Sequence, residues 1–456
     1  MHETRLLAEF VAGAKFEDVP GEVIAHTKHL LLDHFAVALF ATRTEWGRIA
    51  LKYAREFSSI DECTVYGQPW KSSAQHAALA NGLCAHGYEL DDSYEGGFCH
   101  PGAPTIPAAL AIAEKESRSG RDFLLSVVMG YEVMGRISRA LGRESNQQHH
   151  ATGQVGAFGA ATAAAKAMAL EAGPLTNALG LAGSMASGVM EFTEDPKGTM
   201  VKRLYGGWPS QSGIVAASFA RDGYTAPATI IEGRFGFLRG ITRNYDLDLV
   251  LAGLGADYQV MRTVFKPYAS CRAFHPMVEG IVELRNEHGV TPDNLECLDV
   301  GVRESIMRQQ IVYEPQSMMA AQYSMPFTAA LALDRDLADP HCYDGDVLGD
   351  PAIRNTCRKI HAHLDAEVDA FPRYAARLAA RLKDGREVKV AVWDHKGTAA
   401  KPFSTEDVMA KFNKVTASLM RPSDASELAQ AVGALDSDAP DAIRRLCAAL
   451  RTQPSH

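Results

Sequence analysis

GAFGAATAAAKAMAL, residues 156–170, is the stretch that decides the fold. Alanine is the best helix former, and no strand-like run precedes the segment. Gly153, Gly156 and Gly159 recur at intervals of three, a spacing that invites a nucleotide-loop reading. That loop needs a strand before it and a helix opening behind it, so tight helix packing is the better account. Outward from this segment, residues 20–41, 75–86, 105–116, 121–141 and 175–190 read as further apolar or Ala-rich helices. Pro20 stands at the first turn of the earliest. Gly or Pro punctuates each junction, and strand signals are nearly absent up to about residue 262. A packed all-α domain follows from that texture.

After Val264 the texture changes. Residues 298–306 (LDVGVRESI) and 387–393 (EVKVAVW) alternate and are rich in valine, as strands are. Residues 374–382 followed by Lys383-Asp384-Gly385-Arg386 form the first arm of a hairpin closing on the second of these strands. Helices are expected near 276–287, 326–333 and 351–360, with His361 and His363 as exposed helix residues. From Ser404 the chain returns to helix, with Asp407 three residues on as a capping-box-like start. Two last helices should pack back on the first domain. The fold class is therefore mainly α, with a helical domain from 1–262 and 404–456 and an α+β domain from 263–403.

The 456 residues are 46% hydrophobic and 22% charged, within the ordinary range of a soluble globular protein. A net charge of −9 removes the global basic field that nucleic acid or an anionic membrane would require, so neither is an expected partner. An anionic small molecule needs only a few local cations and stays open. No basic region followed by an apolar run opens the sequence, so no signal peptide is expected. The eight cysteines show no C-x-x-C pair, which suits reduced, mostly buried thiols in a cytoplasm. Cys99 and Cys271 stand out because each lies among polar residues.

Four segments carry function-capable side chains. Residues 88–107 (YELDDSYEGGFCHPGAPTIP) hold Glu89, Asp91, Asp92, Ser93 and His100 between apolar flanks. Such a cluster faces a cavity or solvent. Residues 147–153 (QQHHATG) put His150 at a helix entrance, where imidazole suits acid/base work; an exposed or capping histidine is the plain alternative. Residues 200–208 (MVKRLYGGW) place Lys202 and Arg203 before two glycines, and a solvated surface pair would look the same. Residues 266–276 (KPYASCRAFHP) gather Lys266, Cys271, Arg272 and His275 at the texture break, a natural place for a cleft. No G-x-S-x-G, H-E-x-x-H or P-loop pattern is present.

In this order the four segments resemble the MmgE/PrpD family, which includes 2-methylcitrate dehydratases, cis-aconitate decarboxylase and iminodisuccinate epimerase. Further matching stretches are residues 221–227 (RDGYTAP), 231–237 (IEGRFGF), 321–327 (AQYSMPF) and Lys411-Phe412. The resemblance spans essentially the whole chain. It implies a large helical domain built from both chain ends, a smaller α+β lid, a homodimer, and no metal or organic cofactor. It also implies chemistry on a small di- or tricarboxylate. By the same resemblance His100 and His150 match active-site histidines, and Lys202 and Lys266 match lysines of the site. Asp92 and Ser93 match an Asp-Asp-Thr segment. Either histidine would be the acid/base, the other orienting substrate; Lys202, Lys266 and Arg272 would bind carboxylates, with Glu89, Cys271 and His275 beside them. The sequence departs from the family pattern in several places. Glu89 stands where many members carry aspartate, and Ala151 replaces a proline. Cys271 and Phe327 stand where the decarboxylase branch places a histidine and a tyrosine.

The expected activity is a cofactor-independent lyase that abstracts a proton next to a carboxylate, as a 2-methylcitrate dehydratase-like hydro-lyase does. An isomerase or epimerase of a small dicarboxylate is the alternative. A decarboxylase or a non-enzymatic binding protein ranks behind both.

Overall fold

The computed structural model describes residues 2–142, 148–195 and 197–451, so Gln147 of the second segment lies outside the described residues. The protein is mainly α. The chain divides into two compact units: Met1–Met190 with Val201–Val264 and Val408–His456, and Glu191–Met200 with Phe265–Asp407.

Nine helices account for most of the first unit: α1 (Glu3–Gly13), α2 (Gly21–Ala41), α3 (Glu45–Arg55), α4 (Ala74–Ala85), α5 (Gly102–Lys115), α6 (Gly120–Leu141), α7 (Ala151–Ala167), α8 (Ala172–Ser184) and α9 (Val201–Arg221). Local chemistry sets several of their ends. Pro20 caps α2. A reciprocal Ser119–Asp122 capping box opens α6 and satisfies two end groups that would otherwise lack partners. The Ala-rich α7 starts five residues earlier than its sequence suggests, directly behind His150. The α9 helix is absent from the sequence reading, because Gly206 and Gly207 in its second turn look like a loop.

Those glycines permit close helix packing instead. A Cβ at Gly206 would lie 2.3 Å from the Gly82 carbonyl oxygen and 2.7 Å from His86 Cβ. On α7, a Cβ at Gly156 would lie 2.9 Å from Pro209 Cβ. So α4, α7 and α9 approach nearly backbone to backbone, and the glycine triplet of α7 serves packing, as its sequence context predicts. Two short antiparallel ladders join loops of this unit: β1 (Cys63–Thr64) with β2 (Lys71–Ser72), and β3 (Ser93–Tyr94) with β4 (Thr263–Val264). The helices Pro422–Gly433 and Ala442–Leu450 pack on α2 and on α5 and α6 respectively, as expected of the chain's end.

The second unit holds a four-stranded sheet in the order β6-β5-β7-β8, from β5 (Leu295–Val302), β6 (Ile360–Leu364), β7 (Ala376–Leu382) and β8 (Glu387–Val392). The expected hairpin is there, with β7 antiparallel to β8 and Ala376 opposite Val392. Alternate residues Ala376, Leu378, Ala380 and Leu382 are buried, and the helix His275–His288 covers β7 and β8. His361 and His363 belong to strand β6, parallel to β5, and not to a helix; the preceding helix stops at Cys357. The expected capping box forms, with Ser404 N–H donating to Asp407 and Asp407 N–H to Ser404 Oγ. Among the described residues no helix is long and apolar enough to cross a membrane.

Candidate active site

The loop between α4 and α5, residues 86–101, carries the densest buried polar cluster of the first unit. His86, Glu89, Asp91, Asp92, Ser93 and His100 are all buried. The loop is fixed at several points. Tyr94 N–H donates to the Cys99 carbonyl at 2.9 Å. His100 N–H donates to Thr152 Oγ1 on the first turn of α7 at 3.0 Å. Lys411 donates to the Leu90 carbonyl at 2.7 Å and pairs with buried Asp33 at 2.5 Å.

Glu89 adopts a left-handed backbone conformation, φ 58°, which costs a non-glycine residue about 1–2 kcal/mol. The strain points its carboxylate at α9, where it accepts from Lys202 and, at 2.5 Å, from Arg203 Nη1. Both cations are fully buried, and Arg203 also lies over the Trp46 ring at 5.2 Å. The surface-pair reading of Lys202 and Arg203 is thereby overturned. The glycine contact between α4 and α9 brings the first turn of α9 to this loop.

Three imidazoles gather beside that network. Ring centroids of His86 and His100 are 4.9 Å apart, those of His86 and His150 5.6 Å, and those of His100 and His150 6.0 Å with the rings nearly parallel. Asp91 Oδ2 accepts from His86 Nδ1 at 2.7 Å and lies 3.2 Å from His100 Nδ1. His100 Nδ1 also meets the Asp92 carbonyl oxygen at 2.7 Å. A carbonyl can only accept, so Nδ1 of His100 carries the proton and Nε2 is its basic atom. Burial, then Lys202 and the other two imidazoles, hold the His150 pKa well below its ordinary value, so His150 is neutral at pH 7. Burial also lowers His86, with Asp91 opposing.

The Asp92 carboxyl faces the other way. It accepts from Gly102 N–H at the start of α5 and from Tyr131 Oη at 2.7 Å. Burial lifts its pKa to about 7 in spite of the Tyr131 hydrogen bond. Its side chain is a structural anchor, while its backbone carbonyl orients His100. Ser93 pairs in β3 through its backbone.

His86, Asp91 and His100 bring one possible metal-ligand atom each within 4.8 Å of one another. Both Nδ1 atoms donate to oxygen here, so a cation would have to displace those protons. The present geometry fits a hydrogen-bonded histidine pair better than a metal centre.

Lys266, Cys271, Arg272 and His275 belong to the second unit. Lys266 is buried and Arg272 lies 5.2 Å from the centroid of the Tyr374 ring. His275 Nε2 lies 3.3 Å from the Ser270 carbonyl oxygen, its ring between Tyr268 and His395. Burial and neighbouring cationic groups keep its pKa well below ordinary. Cys271 is half-buried where the other seven cysteines are buried, and its sulfur accepts from Gln310. Cys99 is buried and inert to solvent.

The sequence reading missed His86 and named Arg203 without giving it a role in the site. The spacing of His86 to Asp91 was visible, but His86 closes an Ala-rich helix and looks like part of it.

Comparison with known proteins gives the family. A model of the MmgE/PrpD N-terminal domain matches residues 5–250, and one of the C-terminal domain matches residues 268–437. The chain belongs to the MmgE/PrpD family. Its relatives include the cis-aconitate decarboxylase-like protein oryM of Aspergillus oryzae, 26% identical with 91% of each chain covered. The cis-aconitate decarboxylase of Aspergillus terreus is 25% identical over 95% of this chain and 93% of its own. The human cis-aconitate decarboxylase is 27% identical over 90% and 86%. Family and relatives mark this MmgE/PrpD protein as a lyase-type enzyme.

Proposed function

We propose that this MmgE/PrpD protein is a hydro-lyase acting on a small hydroxy-di- or tricarboxylate of the citrate class, with His100 as the base. The observation that carries the reading is the backing of His100 by Asp91, with the neutral His150 ring parallel to it. A carboxylate on Nδ1 stabilises the imidazolium that forms when Nε2 takes a proton. Lys202 and Arg203 supply the cationic side of the cluster, where a substrate carboxylate and the developing carbanion charge would be held. Neutral His150 orients the substrate by hydrogen bonding, as an uncharged imidazole can.

The step balances without a co-reactant. The proton on the carbon next to a carboxylate passes to His100 Nε2, and the electron pair forms the double bond as the C–O bond breaks. The hydroxide that leaves takes the proton from the imidazolium, giving water and the starting histidine. Proton transfer by a positioned side chain contributes about 10²–10⁴-fold. For Lys266 and Arg272 a carboxylate-binding role is proposed on the family resemblance alone.

A second reading, decarboxylation of an aconitate-like acid, draws support from the names of the relatives at 25–27% identity. Cys271 and Phe327 weigh against it, because they stand where that branch supplies proton-transfer groups. Proton NMR in deuterium oxide with citrate, 2-methylcitrate, cis-aconitate and aspartate-derived acids separates these outcomes. Loss or addition of water supports the hydro-lyase. Loss of carbon dioxide installs the second reading, and deuterium exchange at constant mass would indicate an isomerase or epimerase.

A further inference from the structure

We propose that His86 is a positioning residue of this site: it fixes the Asp91 carboxylate against the Nδ1–H of His100, whose tautomer the Asp92 carbonyl already sets. The inference deepens the proton-transfer reading above and rests on it for its kinetic consequences. Its structural content stands on geometry alone. Asp91 Oδ2 is shared by two imidazoles, at 2.7 Å to His86 Nδ1 and 3.2 Å to His100 Nδ1. The shorter contact belongs to His86, which is 0% exposed at the end of α4, a helix pinned against α9 by Gly82 and Gly206. His86 is therefore the rigid member of the pair, and it fixes the Asp91 carboxylate that His100 leans on.

The environment limits what else His86 can do. The loop places Glu89 and Asp91 near it, α9 supplies Lys202 and Arg203, α7 supplies His150, and His34 of α2 lies near Asp91. With His100 and His150 within 6 Å and Lys202 close, a second positive charge on His86 would be repelled. One added proton in the Asp91-bridged pair is stabilised, and two are not. The pair accepts a single proton from substrate, and the shared carboxylate directs it to His100.

Two amides tell the atoms of His86 apart. His86→Asn keeps an N–H near the Nδ1 position, so the link to Asp91 survives. His86→Gln carries its amide out to the Nε2 position and loses that link. ¹H–¹⁵N NMR of histidine-labelled full-length protein should show His100 in the Nδ1–H form throughout, with its Nδ1–H proton at the parent's downfield shift in His86→Asn and moved upfield in His86→Gln as the Asp91 contact loosens. This readout needs no substrate, so it fails or succeeds independently of the proposed reaction. With whichever acid turns over, His86→Gln should lower kcat about 10–100-fold, as loss of an orienting partner of a functional histidine does, with KM within about twofold. His86→Asn should keep most of kcat and the parent pH profile. A His86→Gln enzyme more active than His86→Asn would overturn the proposal and make Nε2 the working atom. A His100 Nδ1–H shift that stays at the parent's value in His86→Gln would overturn it as well.

Discussion

Glu89→Gln removes the carboxylate that Lys202 and Arg203 share, at a place where all three side chains are at most 1% exposed. Removing one partner of a buried ion pair costs about 3–5 kcal/mol, because a charge stays behind in a medium that solvates it poorly. A second estimate comes from proton release. The variant can escape the buried charge by neutralising a lysine, which at pH 7 costs about 1.36 kcal/mol for each unit below an ordinary lysine's 10.4, or about 4.6 kcal/mol. The two estimates agree. Only the second depends on pH, and it falls to about 1.9 kcal/mol at pH 9. The sign follows from linkage: in this window the unfolded variant binds more protons than the folded one, so its stability rises with pH relative to the parent. Urea denaturation followed by circular dichroism at pH 7 and pH 9 measures both differences. Glu89→Asp is the control, since it keeps the charge and should cost less than about 2 kcal/mol. A loss under about 1 kcal/mol for Glu89→Gln at pH 7 would refute the reasoning, because it would fall within the range of an exposed pair. A loss that does not shrink at pH 9 would refute the proton-release part.

Three further outcomes are expected. Asp92, with its pKa lifted to about 7 by burial, binds a proton that the unfolded chain has released, so between pH 5 and pH 8 its ionisation lowers stability by about 2–4 kcal/mol. Asp92→Asn should flatten that decline in urea titrations, and an unchanged slope would show that the carboxyl ionises freely. Lys411→Met leaves buried Asp33 without its cation and the Leu90 carbonyl without its donor, and should cost about 3–5 kcal/mol in the same assay. A cost near zero would mean that the pair is solvated in solution. His150→Ala should lower turnover at least about 10²-fold while circular dichroism and the unfolding midpoint stay near the parent's. Full turnover in that variant would remove His150 from the mechanism.

The helices were legible where periodicity or composition was strong. The segments at 20–41, 75–86 and 121–141 match α2, α4 and α6 within a residue or two, since an apolar or Ala-rich run bounded by Gly or Pro has few other ways to fold. The failures have separate causes. Gly206 and Gly207 break helix propensity, yet α9 runs through them because the missing side chains let α4 approach to contact distance; tertiary packing outweighs a propensity loss of about 1 kcal/mol per glycine. His361 and His363 sit on an exposed strand face, where polar residues carry no period that separates strand from helix. Nothing in the composition marks Glu191–Met200 as belonging with the second unit. At the site, residue types and spacing pointed to the right loop. They could not show that Lys202 and Arg203 turn inward, because burial of a cation depends on an anion that only the fold brings near. They were silent on His86 because it closes an Ala-rich helix and reads as part of it.

The arrangement of unfavourable features argues that this loop was shaped by chemistry. A core of alanines and leucines surrounds residues 86–101, and such a core needs no ions to be stable. A well-packed apolar substitute for a buried ion pair is often neutral or stabilising. Here the chain instead places a left-handed glutamate, two buried cations, a carboxyl pushed to about 7 and three desolvated imidazoles within one loop and the first turns of two helices. Each lowers stability, whereas the other left-handed non-glycine residues, Ser117 and Ala169, are exposed positions just past the ends of α5 and α7. Among the described residues, strained backbone and buried charge coincide at Glu89, which is the pattern of a pre-organised site. The Glu89 backbone gives the connection in its simplest form. Replacing it by glycine would relieve the φ strain, but the glutamate side chain is what holds Lys202 and Arg203 beside His86 and the Asp91–His100 pair. The fold accepts about 1–2 kcal/mol of backbone strain at that residue to keep a carboxylate there.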